Sequence, residues 1–201
     1  MWIDHIAPSR AEGQLKLLYG RVSGPDGEVD NILLAHSLRP HTLEGHLALY
    51  KAVLHHRSNS LPKFFLETLG VYVSLLNRCS YCVDHHSMGL RRLIGNEDSA
   101  TSILEALRSG TFSIFAPGEQ AALAYARTLT EAPHSHQDLL AQIEAMRAAG
   151  FDDGQILEVN QLVAYFSYAN RTVLGLGVTT TGDLLGLSPA NADDSDDWSH
   201  R

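Results

Sequence analysis

Residues 67–92 read ETLGVYVSLLNRCSYCVDHHSMGLRR. The chain's two cysteines, Cys79 and Cys82, sit here three positions apart, with His85 and His86 following and Glu67 twelve residues upstream in an apolar run. Before the pair, Leu66, Gly70, Val73 and Asn77 recur at helical spacing; after it Leu90, Leu93 and Ile94 do the same. The stretch therefore reads as two helices with a break between them. A restart near Asn77 would make that residue an N-cap and put Cys79 in the first turn. At 100° per residue, Cys79, Cys82 and His86 share one stripe of the second helix, while His85 falls off it. Glu67 is out of phase with that stripe along a straight helix and reaches the cysteines only if the first helix folds back at the break.

The same period recurs outward in both directions. Leu15, Leu18 and Val22 mark one face, and Leu43, Leu47, Tyr50 and Leu54 another. Towards the C-terminus come Leu139, Ile143 and Met146, then Ile156, Val159, Val163, Phe166 and Asn170. Short breakers separate these faces, among them SNSLP (58–62), APGE (116–119) and GFDDGQ (150–155); Pro117 suits a first helical position and Glu119 a first turn. GLGVTTTG (175–182) is the sole candidate strand. The pattern predicts an all-α fold of about eight or nine helices, one domain over residues 1–188. An acidic tail, 189–201, lacks the apolar content to order itself. A faint echo links Glu67…Asn77 to Glu158…Asn170.

Composition narrows the function. With 201 residues the chain can bury roughly 70% of its unfolded surface and needs neither a disulfide nor a metal to fold. A net charge of −8 without a basic cluster argues against nucleic acid, and no apolar run is long enough for a membrane span. The first residues carry no signal-peptide pattern, so a reducing cytoplasm is expected, where cysteine pairs are more often catalytic or metal-binding than structural.

Cysteines at i and i+3 on a helix bring their Cα atoms to about 5 Å, within disulfide range. A helix N-terminus and a nearby imidazole both lower a thiol's pKa, the first favouring Cys79 as the reactive thiolate and the second favouring Cys82. The same four side chains are also a possible zinc set, although structural zinc sites usually draw ligands from two separate elements. Of eleven histidines, the nine outside the HH pair, such as His36, His46, His55 and His56, read as surface or packing residues.

The pattern E-x11-C-x2-C-x3-H (Glu67, Cys79, Cys82, His86), with the lead-in LPKFFLETLGVYVSLLNRCSYCVDHH, resembles the signature of the alkylhydroperoxidase D and carboxymuconolactone decarboxylase superfamily. EGQLKLLY, LLAHSLRPHTLEGHLALYKAVL and RAAGFDDGQILEVNQLVAYFSYANR resemble its peroxidase-related branch, so that the resemblance spans residues 11 to 178. It implies a helical fold assembled as a homo-oligomer, in trimers or in hexamers built from dimers. It also implies a thiol peroxidase for hydrogen peroxide or small organic hydroperoxides, with no cofactor and no resident metal. In the redox members the cysteine matching Cys82 attacks the peroxide and the one matching Cys79 closes a disulfide. A dithiol electron donor, such as a lipoyl-bearing protein, then restores the pair, and residues matching Glu67 and His86 relay protons. Tyr81 stands where the alkylhydroperoxidase proper has a histidine. The competing readings are a lactone decarboxylase of the same superfamily, whose reaction needs no cysteine pair, and a redox-sensing or metal-binding module.

Overall fold

The computed structural model describes residues 1–24 and 27–187, so the acidic stretch 189–201 lies outside the described residues. Among the described residues there are nine α-helices and no strand. They are α1 (Gly13–Val22), α2 (Asn31–Leu34), α3 (Pro40–Tyr50), α4 (Lys63–Leu76), α5 (Ser80–Ile94), α6 (Glu97–Ser109), α7 (Pro117–Glu131), α8 (His136–Ala148) and α9 (Asp153–Leu176). A π-helical turn, Lys51–His55, extends α3. No helix among the described residues is long and apolar enough to cross a membrane.

Local chemistry accounts for the helix ends. Pro117 opens α7, and the Glu119 carboxylate accepts from the Ala116 amide at 3.0 Å. Asp152 caps α9 by accepting from the Gln155 amide at 2.8 Å, while Gln155 accepts from the Asp152 amide at 3.1 Å. The candidate strand at 175–182 does not form: α9 runs to Leu176 and stops at Gly177, whose φ of 61° is the left-handed conformation that terminates helices, and the rest of the stretch is irregular.

Helix α4 is the centre of the molecule, with every residue from Phe65 to Ser74 buried. Helices α5, α6, α7 and α9 pack around it. Leu66, Leu69, Tyr72, Leu104, Leu123, Leu162 and Phe166 supply much of this core. A smaller cluster beside it joins α1 to α3 through Leu15, Leu18, Leu43 and Leu47. Gly70 lets α4 and α9 approach: a Cβ there would overlap the Phe166 ring. Of the helical faces read from the sequence, Leu90 is fully buried but Leu93 is largely exposed, because α5 buries a single stripe.

Candidate active site

The break between α4 and α5 is a tight helix-ending turn. Arg78 adopts a left-handed φ of 57°, its amide donates to the Leu75 carbonyl at 3.0 Å, and the Cys79 amide reaches back to the Ser74 carbonyl at 2.9 Å. Asn77 is therefore the C-cap of α4 rather than the N-cap of α5; Cys79 takes the N-cap position and Cys82 is the third residue of α5. The N-cap shifts by two residues because the turn consumes Asn77 and Arg78 in closing α4. The turn folds α4 back along α5, which is the geometry that Glu67 requires.

Glu67 is 2% exposed, and its Oε2 lies 2.8 Å from His86 Nδ1. As a carboxylate it can only accept, so Nδ1 carries the proton and Nε2 keeps a free lone pair. The His86 ring makes edge-type contacts with Phe166 at 4.6 Å and with Tyr50 at 6.5 Å. Cys82 and His86 are one helical turn apart on α5, and both line a cavity of about 60 Å³ together with Glu67, Tyr50, Tyr165 and Phe166.

Both cysteines are free thiols, with Sγ atoms 2.8 Å apart. Cys79 is fully buried and outside the cavity lining, whereas Cys82 is 4% exposed and part of it. In this contact two sulfurs share one hydrogen bond. The Cys82 S–H holds Cys79 below the ordinary thiol range, against the opposing effect of burial. The same contact with Cys79, and then burial, push Cys82 well up, with the Asn170 amide acting in the lowering sense. Deprotonation thus favours Cys79, at the helix N-terminus, while access from the cavity favours Cys82.

Several residues that complete the site carry no motif. Asn170 accepts from Asn77 Nδ2 at 2.9 Å and donates to the Ser74 hydroxyl at 3.1 Å, tying α9 to the end of α4 beside the thiols. The faint echo between the two Glu…Asn stretches was the one available signal for it. Its other half does different work: the Glu158 carboxylate accepts from the Ser60 and Leu61 amides at 2.8 and 2.9 Å. Burial, and then neighbouring charge, push the Tyr50 and Tyr165 phenols well above their ordinary range, so both remain neutral. Tyr81 packs in one buried cluster with both cysteines, but its hydroxyl bonds elsewhere. Its hydroxyl donates to Asp183 at 2.7 Å and accepts from the Ile32 amide at 3.1 Å, and His85 lies 3.2 Å from the same carboxylate.

For metal binding, the four sequence-selected donors pair off two by two, thiol with thiol and carboxylate with imidazole, instead of converging on one point. Among the described residues the trio whose donor atoms do converge, within 4.8 Å, is Asp30, His85 and Asp183. Asp183 already accepts from Tyr81 and from the Asn31 amide.

The chain is similar in sequence and fold to known proteins. The model of the carboxymuconolactone decarboxylase family matches residues 40–128, which hold all four motif residues. No curated protein matches the chain. A peroxidase-related protein from Silicibacter sp. TM1040 is 25% identical, with a TM-score of 0.67 over 76% of this chain and 77% of that one. A second, from Ralstonia eutropha JMP134 and described as an alkylhydroperoxidase AhpD core, has a TM-score of 0.73 at 23% identity, covering 89% of this chain and 90% of that one. A debrominase, Bmp8, solved with 2,3,4-tribromopyrrole, shares the fold at 16% identity and a TM-score of 0.66, over 89% of this chain and 91% of its own.

Proposed function

We propose that this chain, whose residues 40–128 match the carboxymuconolactone decarboxylase family and whose fold is that of alkylhydroperoxidase-like, peroxidase-related proteins, is a thiol peroxidase acting on hydrogen peroxide or small organic hydroperoxides. The observation that carries this reading is the pair of free thiols 2.8 Å apart, one of them on a cavity shared with a Glu67–His86 hydrogen bond. A lactone decarboxylase has no use for two adjacent thiols.

The chemistry runs in three balanced steps. His86 Nε2 takes the Cys82 proton; the Cys82 sulfur attacks the peroxide, its O–O bond breaks, and the proton goes to the departing oxygen, giving a sulfenic acid and an alcohol or water. The Cys79 thiol then displaces water from that sulfenic acid and forms the disulfide. A dithiol donor, a lipoyl-bearing protein being the natural class, reduces the disulfide by two electrons and becomes a disulfide itself. Glu67 orients His86 and stabilises it while it carries the extra proton. Cys79, as the lower-pKa sulfur, is well placed to expel water and later to leave as thiolate. The setting proposed is the reducing cytoplasm.

The test is peroxide consumption with a panel of dithiol donors, together with mass analysis of unreduced peptides. Peroxide should produce a loss of two hydrogens across residues 79–82, one disulfide per peroxide consumed. Stable intermolecular dimers without that internal bridge would overturn the reading.

A further inference from the structure

His46, on α3, is 4% exposed, and its Nδ1 is buried without a hydrogen-bond partner. An unsatisfied buried imidazole nitrogen is costly and calls for an explanation. The ring lines the same cavity as Cys82 and His86. It packs 5.8 Å from the Tyr165 ring and 5.0 Å from His36, whose Nδ1 is held by the Thr42 hydroxyl at 3.0 Å. Nothing in the cysteine motif uses His46, and a packing role alone is better filled by a leucine.

We propose that His46 binds the peroxide group of the substrate, and that the cavity it lines admits hydrogen peroxide and the smallest alkyl hydroperoxides but excludes aryl ones. This inference rests on the thiol-peroxidase reading. A hydroperoxide both donates and accepts a hydrogen bond, so a neutral imidazole of either tautomer can hold it. Burial, reinforced by His36, lowers the pKa of His46 to about 3, so it stays neutral throughout the working range and does not compete with His86 as a base. The size limit follows from volume: about 60 Å³ is far below the roughly 150 Å³ that holds one benzene ring. Around that space Tyr50, Tyr165 and Phe166 form a wall of interlocked rings, Tyr50 to Tyr165 at 5.9 Å and Tyr165 to Phe166 at 5.4 Å. Such a wall does not yield to a bulky substrate without repacking the core.

The experiment follows turnover with dithiothreitol as donor and hydrogen peroxide, tert-butyl hydroperoxide or cumene hydroperoxide as oxidant. His46→Leu keeps the volume and removes the polar atoms. It should raise KM for hydrogen peroxide about 10-fold, the loss of one hydrogen bond, with little change in kcat and none in the pH profile of thiolate absorbance. His46→Asn or His46→Gln, which return an amide at the position of Nδ1 or Nε2, should recover most of that loss in at least one case. Cumene hydroperoxide should be the poorest substrate by a wide margin. A wild-type KM in His46→Leu, or a shifted thiolate profile, overturns the role of His46. Equal turnover of cumene and hydrogen peroxides overturns the size limit. A wild-type chain inert to all three overturns the peroxidase reading itself, and this inference with it.

Discussion

At Cys79 and Cys82 one proton serves two sulfurs, and the consequence can be read in their titration. The Cys82 S–H is the largest cause of the depressed Cys79 pKa, and burial opposes it. Cys82→Ala should therefore move the Cys79 thiolate transition upward, past that of an ordinary thiol, when followed by ultraviolet thiolate absorbance. Cys79→Ala should instead bring Cys82 down, because its chief raising influence is gone. A transition that stays in place in either variant would mean that the sulfurs do not share the proton. Stability follows with opposite signs. The depressed Cys79 contributes stability that is present above the ordinary thiol pKa and lost as pH falls through its folded value; the raised Cys82 withdraws stability as pH climbs above the ordinary thiol range. Glu67 belongs to this scale too. Glu67→Gln should slow peroxide-driven oxidation by about 10²-fold or more near neutrality, since it removes the charge behind His86. Rate should return as pH rises and hydroxide generates the thiolate. The double variant with His86→Ala should be little slower than either single one, because a relay fails as a unit. Losses that multiply would make Glu67 a structural residue.

Between elements, the decisive contact is α4 on α9. Gly70 faces Phe166, and Phe166 in turn stands against the His86 ring. Gly70→Ala gains up to about 1 kcal/mol of helix propensity but forces the Phe166 ring to move, a strain of about 1–3 kcal/mol in a packed core. Net destabilisation is expected in a denaturant melt, with lower peroxide turnover because the displaced ring crowds His86. A variant more stable than wild type, with full turnover, would show that α9 yields freely there. The turn at Arg78 is the other point where elements decide chemistry. A non-glycine residue at φ 57° costs about 1 kcal/mol or more, and it persists because the turn presents Cys79 at the start of α5.

For the whole molecule, apolar surface points to other copies of the chain. On α9, Leu157, Gln161, Ala164 and Tyr168 follow one exposed stripe, with Leu157 58% and Tyr168 41% exposed, although the opposite side of that helix is core. A helix apolar on two sides usually buries both. Light scattering should therefore find a homo-oligomer that persists at micromolar concentration, and Leu157→Glu with Tyr168→Glu should weaken it. A wild-type monomer of 22.0 kDa would exclude the assembly expected of this superfamily. At the same scale, the C-terminal segment is bound back across α5: Arg92 donates to the Gly186 carbonyl at 2.7 Å, and Tyr81 holds Asp183. This accounts for the tyrosine at position 81, between the two cysteines. Its hydroxyl serves the strap over the site, not the thiols.

Much of the protein is already determined by its order of residues, because the interactions concerned are local. The 3.6-residue spacing of Leu66, Gly70 and Val73, the Asp152–Gln155 capping pair and the three-residue separation of Cys79 and Cys82 depend on neighbours within a turn or two. The motif Glu67, Cys79, Cys82 and His86 is legible for the same reason once the break at Asn77 is noticed. Tertiary structure alone decides that Glu67 meets His86, since that contact needs α4 folded back on α5 by the left-handed Arg78. It also decides that Asn170, 93 residues beyond Asn77, closes the network at the thiols. It turns His46 from an ordinary helix residue into a cavity wall. Burial and long-range proximity arise only when separate helices pack together, and no periodicity within one segment encodes which distant side chain will face it.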